Sequence, residues 1–179
     1  MESIGFKEWA LVCTALGEGR QNIILRKGGL AEGRDGFQFR CREFFLFPTF
    51  FHEQLDRTRF TQATLPAPLP NEIEIRYFAK VERAKLVTTW EKAQALESLH
   101  VLRESVVRER FEYDKPAGLH VALVRVFRLA SVWRFPDARS YGGCRSWVEL
   151  PEPPNDLRLQ PALSDAEQAS RREAFQQAI

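Results

Sequence analysis

The feature that most constrains the fold is a pair of apolar, β-prone runs joined by glycines, between Gly19 and Gln54. The first run covers Asn22–Arg26 and the second covers Phe37–Phe47, with a ten-residue connection that contains four glycines between them. Runs of this kind bounded by glycine clusters are typical of β-strands. The pattern therefore predicts a long β-hairpin at the centre of the fold.

The second of these runs has apolar residues on both strand faces. Phe37, Phe39 and Phe45 share one parity, whereas Phe44 makes the other parity apolar too, and Glu43 falls on the first. Either a bulge shifts the strand near residue 42, or both faces are covered. Glu43 is then a solvent-facing bulge residue or a partly buried carboxylate held by an arginine, and the second alternative is a functional-site candidate.

Two cations stand beside two glycines in the connection. Arg26 and Lys27 precede Gly28 and Gly29, and small residues permit the close backbone approach that an anion such as phosphate needs. No Walker triplet and no dinucleotide fingerprint follow. The segment is therefore either a phosphate cradle or an ordinary flexible loop.

Composition limits the class of protein. With 179 residues, 44% of them hydrophobic, and fourteen phenylalanines, the chain can build one sizeable aromatic core. Three unpaired cysteines predict neither a disulfide framework nor a zinc ribbon, and the start of the chain does not resemble a signal peptide. We therefore expect a cytoplasmic protein with no membrane span, no metal and no cofactor.

Charge is distributed unevenly along the chain. Six acids and three bases from Glu149 onward leave −3 in the tail and +5 in residues 1–148. A body charge of +5 allows contact with polyanions but is not a strong nucleic-acid footprint. We expect one α+β domain over residues 1–150, followed by a proline-rich linker and a C-terminal helix over 151–179, with Ser164 as its cap.

Periodicity places the remaining elements. Residues 2–16 predict a helix with Trp9 in the core, and residues 89–106 predict a second helix whose buried stripe is Ala95, Leu99, Leu102 and Val106. Glu72–Glu82 alternates as a strand with a bulge expected near Arg83. Arg76, Phe78 and Lys80 share its polar face, which suits base stacking over a phosphate chain unless Phe78 is simply covered.

The central strand introduces a buried charge. Leu119–Leu129 is apolar on both parities, and Arg125 shares a face with apolar residues. A guanidinium there needs a partner, and Glu43 is the carboxylate we nominate, so the two are expected to meet in a cleft.

The last strand and one histidine complete the candidates. Tyr141–Cys144 is predicted as a turn that leads into a strand over Arg145–Leu150, which contains Trp147, and Cys144 is expected to be buried and inert. His52 lies beside Glu53 and is either a base or metal ligand, or a surface histidine.

Several of these segments together resemble a known bacterial family. They are KEWA at 7–10, LRKGG at 25–29, REFFLFPT at 42–49 with His52 behind it, and GGCRSW at 142–147. Over about residues 5–150 they are similar to domain-of-unknown-function family 1802, which implies no established activity. In this chain Glu53 stands between His52 and Gln54, where the family pattern has His followed directly by Gln. More loosely, the element order is similar to small PUA-like barrels that bind RNA or modified bases. The resemblance implies an α+β fold with a mixed, mostly antiparallel, curved or barrel-like sheet flanked by two or three helices.

These observations leave two function hypotheses. The first is a non-catalytic module that binds RNA, single-stranded DNA or a modified nucleotide, without a membrane partner. Its predicted ligand-binding residues are Trp9, Arg26, Lys27, Arg76, Phe78, Arg125, Tyr141 and Trp147. The alternative is an enzyme of phosphodiester hydrolysis or nucleobase chemistry that uses Glu43 and His52, with Glu8 as a further proton carrier.

Overall fold

Seven strands and four α-helices make up the parts of the chain that the computed structural model describes, which are residues 2–27, 37–61, 66–113 and 115–179. The strands are β1 Ile4–Trp9, β2 Ile23–Arg26, β3 Glu43–Thr49, β4 Glu72–Val87, β5 Leu119–Pro136, β6 Trp147–Glu149 and β7 Leu159–Pro161. The helices are α1 Ala10–Gly17, α2 Trp90–Ala95, α3 Glu104–Phe111 and α4 Asp165–Ala178. The predicted α+β class is confirmed.

The strands form one sheet in the order β2-β5-β4-β3-β1-β6, with β7 also paired to β5. All pairs are antiparallel except β1 and β3, which are parallel. β4 and β5 form the longest ladder, and its register shifts between Val81 and Arg83. This confirms the bulge predicted at Arg83. The β5 strand is central, as its apolar residues on both parities indicated.

The predicted hairpin is wrong. β2 pairs with β5, whereas β3 lies between β1 and β4, so the two runs do not pair with each other. Residues 37–42 are not part of a strand, and the proposed phosphate cradle at Gly28 and Gly29 lies outside the described residues. Local periodicity does not show which strands pair, because any buried strand of the right length can form hydrogen bonds with the edge of β5.

The first predicted helix is wrong over its N-terminal half. Residues 4–9 form β1, and only residues 10–17 form α1. Phe6 is fully buried against Trp147 and Phe44, whose ring centroids lie 4.8 and 5.2 Å from its own. Pairing of β1 with β3 and β6 therefore overrides the helical spacing. The helix ends at Gly17, and Gly19 follows with a φ of +74°, which glycine adopts without strain.

The second predicted helix is broken into α2, a short 3₁₀ helix over Glu97–Leu99, and α3. Side chains form hydrogen bonds with the main-chain groups between these pieces. The guanidinium of Arg59 donates to the carbonyls of Glu97, His100 and Leu102. Gln21 Oε1 accepts from the Val101 N–H at 3.0 Å. Leu99, Leu102 and Val106 are buried as predicted, but Ala95 is exposed.

Apolar clusters cover both faces of the sheet. In β3, Phe44 and Leu46 belong to the larger cluster, and Phe45 and Phe47 belong to the smaller one. This confirms the alternative in which both faces of the second run are covered. It also explains the many phenylalanines, because a sheet buried on two sides needs twice the apolar side chains of a half-exposed one.

The sheet curls until its two ends approach each other. β2 and β6 are at opposite ends of the strand order, yet the guanidinium of Arg26 donates from Nε and Nη2 to Oγ of Ser146, the residue before β6, at 3.2 and 3.1 Å. One side chain therefore bridges the two ends of the strand order, although β2 and β6 do not pair and the sheet stays open among the described strands. We call the group at this contact, Glu8, Arg26, Arg110 and Ser146, the seam.

Candidate functional site

The seam collects three charged side chains and one hydroxyl group from four separate parts of the chain. Glu8 comes from β1, Arg26 from the end of β2, Arg110 from α3, and Ser146 from the residue before β6. Glu8 alternates with Lys7 along β1 and shares its strand face with Phe6, at the inner side of the sheet. Burial of charge at such a place is rare unless the charges are paired.

Glu8 is the most buried charge of the seam, with 1% of its surface exposed. Its Oε1 accepts from the Trp9 backbone N–H at 2.9 Å. Its Oε2 accepts no hydrogen bond from any described residue, and Arg26 Nη1 lies 3.9 Å away from it. An ionised carboxylate can accept about four hydrogen bonds, so Glu8 retains unused acceptor capacity in a buried place.

Arg26 is the part of the seam that reaches solvent, since 20% of its side chain is exposed. Its guanidinium carbon lies 5.1 Å from the centroid of the Phe6 ring, in addition to its contacts with Ser146 and Glu8. This ring and the Ser146 hydroxyl hold the guanidinium in one orientation, so that its remaining donors have a fixed direction.

Arg110 of α3 is the second cation of the seam. Its Nη1 donates to the Leu25 carbonyl at 2.7 Å, and its guanidinium carbon lies 4.5 Å from the centroid of the Trp9 ring. Burial lowers the pKa of Arg110 from its usual value, and the negative charge of Glu8 acts in the opposite direction. The carboxylate of Glu8 is therefore part of what keeps this buried arginine charged.

Lys7 points to the other face of β1 and anchors the turn before β6. Its Nζ donates to the carbonyls of Gly142 and Gly143 at 3.0 and 3.1 Å. Burial lowers the pKa of Lys7, while nearby Cys144 raises it. Cys144 itself is exposed, so the prediction that it is buried and inert is wrong about its burial.

The predicted ligand-binding residues divide into two groups. Arg26 belongs to the seam, Trp9 packs against Arg110 of the seam, and Trp147, which is 5% exposed, directly follows Ser146. The ring of Tyr141 packs against those of Phe47 and Phe135, with centroid distances of 5.5 and 5.7 Å. Tyr141 and Trp147 line one surface groove.

The other predicted residues lie elsewhere. Arg76 forms an ion pair with Glu74 at 2.8 Å and lines a separate pocket of about 250 Å³, so it does not share a cleft with Trp147. Phe78 is fully buried, which corrects the suggestion that it stacks on bases. The ammonium of Lys27 lies 3.3 Å from the centroid of the Tyr113 ring.

The predicted pair of Glu43 and Arg125 does not form. Glu43 is exposed and pairs with Lys80 at 2.7 Å, and Arg125 pairs with Asp165. The register places Lys80 directly between the two, so their strands are about 10 Å apart at two strand spacings. Glu43 and Arg125 therefore each form an ion pair with a nearer residue.

Glu43 and His52 do not converge either. Glu43 begins β3, and His52 follows the end of that strand, where it is exposed in a short 3₁₀ helix. The seven residues of β3 extend over about 20 Å. The proton-transfer pair of the enzyme hypothesis therefore has no geometric basis.

Sequence reasoning missed Arg110 and Ser146. Arg110 lies in a helix whose neighbours are charged, so its spacing resembles that of a solvated face. A weak signal existed for Ser146, because it lies within the GGCRSW segment that suggested the family. Glu8 was named, although only as a secondary proton carrier.

Two further findings concern metal sites and membrane spans. In the ranges that the structure describes, no three His, Cys, Asp or Glu side chains group together as a metal site would require. None of the helices in those ranges is both long enough and apolar enough to cross a membrane.

The match to a family model confirms the family resemblance described above. No curated protein sequence matches the chain. Similar solved structures include the ASCH protein from Zymomonas mobilis, with 13% identity and a TM-score of 0.45 over 96% of this chain and 94% of that chain. A mutant of the same protein has 12% identity and a TM-score of 0.44 over 98% and 99% of the two chains. A family model described as "Domain of unknown function (DUF1802)" matches residues 5–174, and the chain therefore belongs to that family.

Proposed function

We propose that this protein is a non-catalytic module that binds a nucleotide or a single strand of nucleic acid at the seam. The observation that supports the proposal best is the buried carboxylate of Glu8, whose Oε2 accepts no hydrogen bond from a described residue although two arginines flank it. Buried polar atoms are normally satisfied, so an unused acceptor beside cations suggests a ligand that has both an N–H donor and a negative charge.

A nucleotide has this combination of groups. Its phosphate suits the guanidinium of Arg26, the partly exposed cation of the seam, because arginine matches the geometry of phosphate oxygens. The exocyclic amino groups of bases donate hydrogen bonds that a glutamate accepts. Single-stranded nucleic acid exposes these base edges, whereas a duplex covers them by pairing.

The proposed site is smaller than the groove predicted from the sequence. Arg76, Phe78 and Arg125 are engaged elsewhere, so Arg26 remains as the main phosphate contact, while Trp9 packs against the other arginine of the seam, Arg110. We therefore expect weak to moderate affinity with few phosphate contacts rather than the steep salt dependence of a strongly basic protein.

The test is fluorescence anisotropy with a labelled twelve-nucleotide RNA and a single-stranded DNA of the same sequence, in low and moderate salt. Arg26→Gln should weaken binding to both and reduce the slope of log K against log salt by about 1. Glu8→Gln keeps an oxygen for the Trp9 N–H but replaces the free acceptor with a donor, so it should also weaken binding.

Arg83→Gln is the matched control, because Arg83 is an exposed arginine on β4 away from the seam. Circular dichroism checks that each variant is folded. The proposal fails if neither nucleic acid binds at low salt, or if the Arg83 variant loses as much affinity as the Arg26 variant.

A further inference from the structure

The outer edge of β6 faces an open groove of about 740 Å³. We call it the edge groove and define it by Ile4, Arg40, Tyr141, Arg145, Trp147 and Glu149. β6 ends the strand order and pairs only with β1 among the described strands. An edge strand that no other strand covers offers its main-chain groups to an added strand.

The register shows which main-chain groups are free. The Lys7 N–H donates to the Ser146 carbonyl and the Leu150 N–H to the Ser3 carbonyl, both at 2.8 Å. Gly5 is opposite Val148 between these bonds. Because inward and outward groups alternate along an antiparallel strand, Trp147 and Glu149 direct their N–H and C=O groups away from β1, toward the groove.

A side chain in the groove independently indicates a ligand. Trp147 is 5% exposed, and its indole Nε1 is buried without a hydrogen-bond partner among the described residues. Tryptophan N–H groups usually find an acceptor when they are buried. Trp147 lines the groove, and an extended peptide along β6 would bring carbonyl oxygens close to this residue.

The charges of the groove indicate what kind of peptide it takes. Arg40 and Arg145 are exposed, and the guanidinium carbon of Arg40 lies 5.8 Å from the centroid of the Trp147 ring. Glu149 is the one acid among the residues that line the described groove. The two arginines outnumber the one acid and favour acidic side chains near Arg40 and Arg145. The outward main-chain groups of β6 favour a peptide over a phosphate chain, because a phosphate chain has no backbone N–H to donate to them.

We propose that the edge groove binds an extended acidic peptide as an added strand on β6. The main-chain groups of Trp147 and Glu149 supply the ladder, and Arg40 and Arg145 select acidic side chains. This site adjoins the seam, because Ser146 directly precedes β6, but it does not depend on the nucleotide proposal.

The test uses a fluorescein-labelled nonapeptide of alternating valine and aspartate. Glu149→Pro removes an N–H that points into the groove and leaves the bonds between β6 and β1 intact, and proline is tolerated on the open side of an edge strand. This variant should bind the peptide about tenfold more weakly, as expected for the loss of one main-chain hydrogen bond. Glu149→Gln is the matched control, which retains the N–H and should bind at least as well as the unchanged protein.

Hydrogen exchange gives a second readout on the unchanged protein. The amides of Trp147 and Glu149 should exchange more slowly when the peptide is bound, and a nonapeptide with lysine in place of aspartate should not protect them. The proposal is overturned if the acidic peptide does not bind, if the lysine peptide binds equally well, or if Glu149→Pro has no effect. It is also overturned if Glu149→Pro abolishes binding of the twelve-nucleotide RNA instead, because the groove would then be a nucleic-acid track.

Discussion

His100 is a buried histidine that the fold holds in its neutral form. It is 3% exposed, and its Nδ1 accepts from the Leu102 N–H at 3.1 Å. Burial lowers its pKa to about 3, with further lowering by the positive charges of Arg59 and Arg110. The Nδ1 contact matters for the fold, because it holds part of the extended stretch that separates α2 from α3.

This pKa predicts acid sensitivity. Below pH 6.5 the unfolded chain takes up a proton at His100 that the native protein does not accept until about pH 3. The free energy of unfolding should therefore fall with decreasing pH by about 1.4 kcal/mol per pH unit within that window. Urea titrations between pH 7 and pH 4 measure the slope.

A matched pair of variants isolates the His100 contribution from that of the carboxylates. His100→Asn retains an acceptor for the Leu102 N–H but cannot titrate, so it should show a shallower decline. His52→Asn, at an exposed position, should follow the unchanged protein. Equal slopes for all three proteins would contradict the assignment.

At the scale of an element, α4 has the most complete local stabilisation. Ser164 Oγ accepts from the Glu167 N–H at 3.3 Å, and Glu167 Oε2 accepts from the Ser164 N–H at 2.8 Å, which is a reciprocal capping box. The predicted cap is confirmed. By contrast, the N-cap of α2 is Thr89, and it makes no side-chain cap bond.

The cap of α4 can be removed by one substitution. Ser164→Ala leaves the N-terminal N–H groups of the helix without their side-chain acceptor and should lower the free energy of unfolding by about 1 kcal/mol. Urea denaturation followed by far-UV circular dichroism measures the change. Ser170→Ala, at an exposed position inside the same helix, should change stability little or raise it slightly, because alanine is the better helix former. A larger loss for the Ser170 variant would refute the capping argument.

At the scale of the whole molecule, α4 is joined to the main core. Phe175 is fully buried in the larger apolar cluster, and Gln168 Nε2 donates to the Val124 carbonyl of β5 at 3.3 Å. Arg172 also pairs with Glu82 of β4 at 3.0 Å. We propose that the segment over residues 151–179, although set apart by its prolines, folds together with residues 1–150.

Phe175→Ala tests this cooperation. Loss of a buried phenylalanine should cost about 3–5 kcal/mol, and tryptophan fluorescence and far-UV circular dichroism should show one shared transition at a lower midpoint. Phe175→Leu is the milder variant if the alanine variant does not fold, and Gln176→Ala is the exposed control. An early circular dichroism transition that leaves the fluorescence transition in place would show instead that α4 unfolds alone.

Much of this fold follows from patterns within single elements. The strand over Glu72–Glu82, its bulge at Arg83, the central strand, and the cap at Ser164 were all predicted correctly, because each depends on residues that are neighbours along the chain. The α+β class and the family also follow from the sequence, because composition and short motifs do not depend on which strands pair.

Strand partners and the seam were decided by tertiary structure alone. β2 pairs with a strand nearly a hundred residues later, and Arg26 meets Ser146, 120 residues away, because the sheet curls its two ends together. Apolar periodicity shows that a strand will be buried but not against which neighbour, and a charged residue such as Arg110 shows its burial only once α3 is docked. The sequence by itself therefore determined the long strands β4 and β5 and the cap of α4, and the arrangement of the strands in the sheet determined which charges came together.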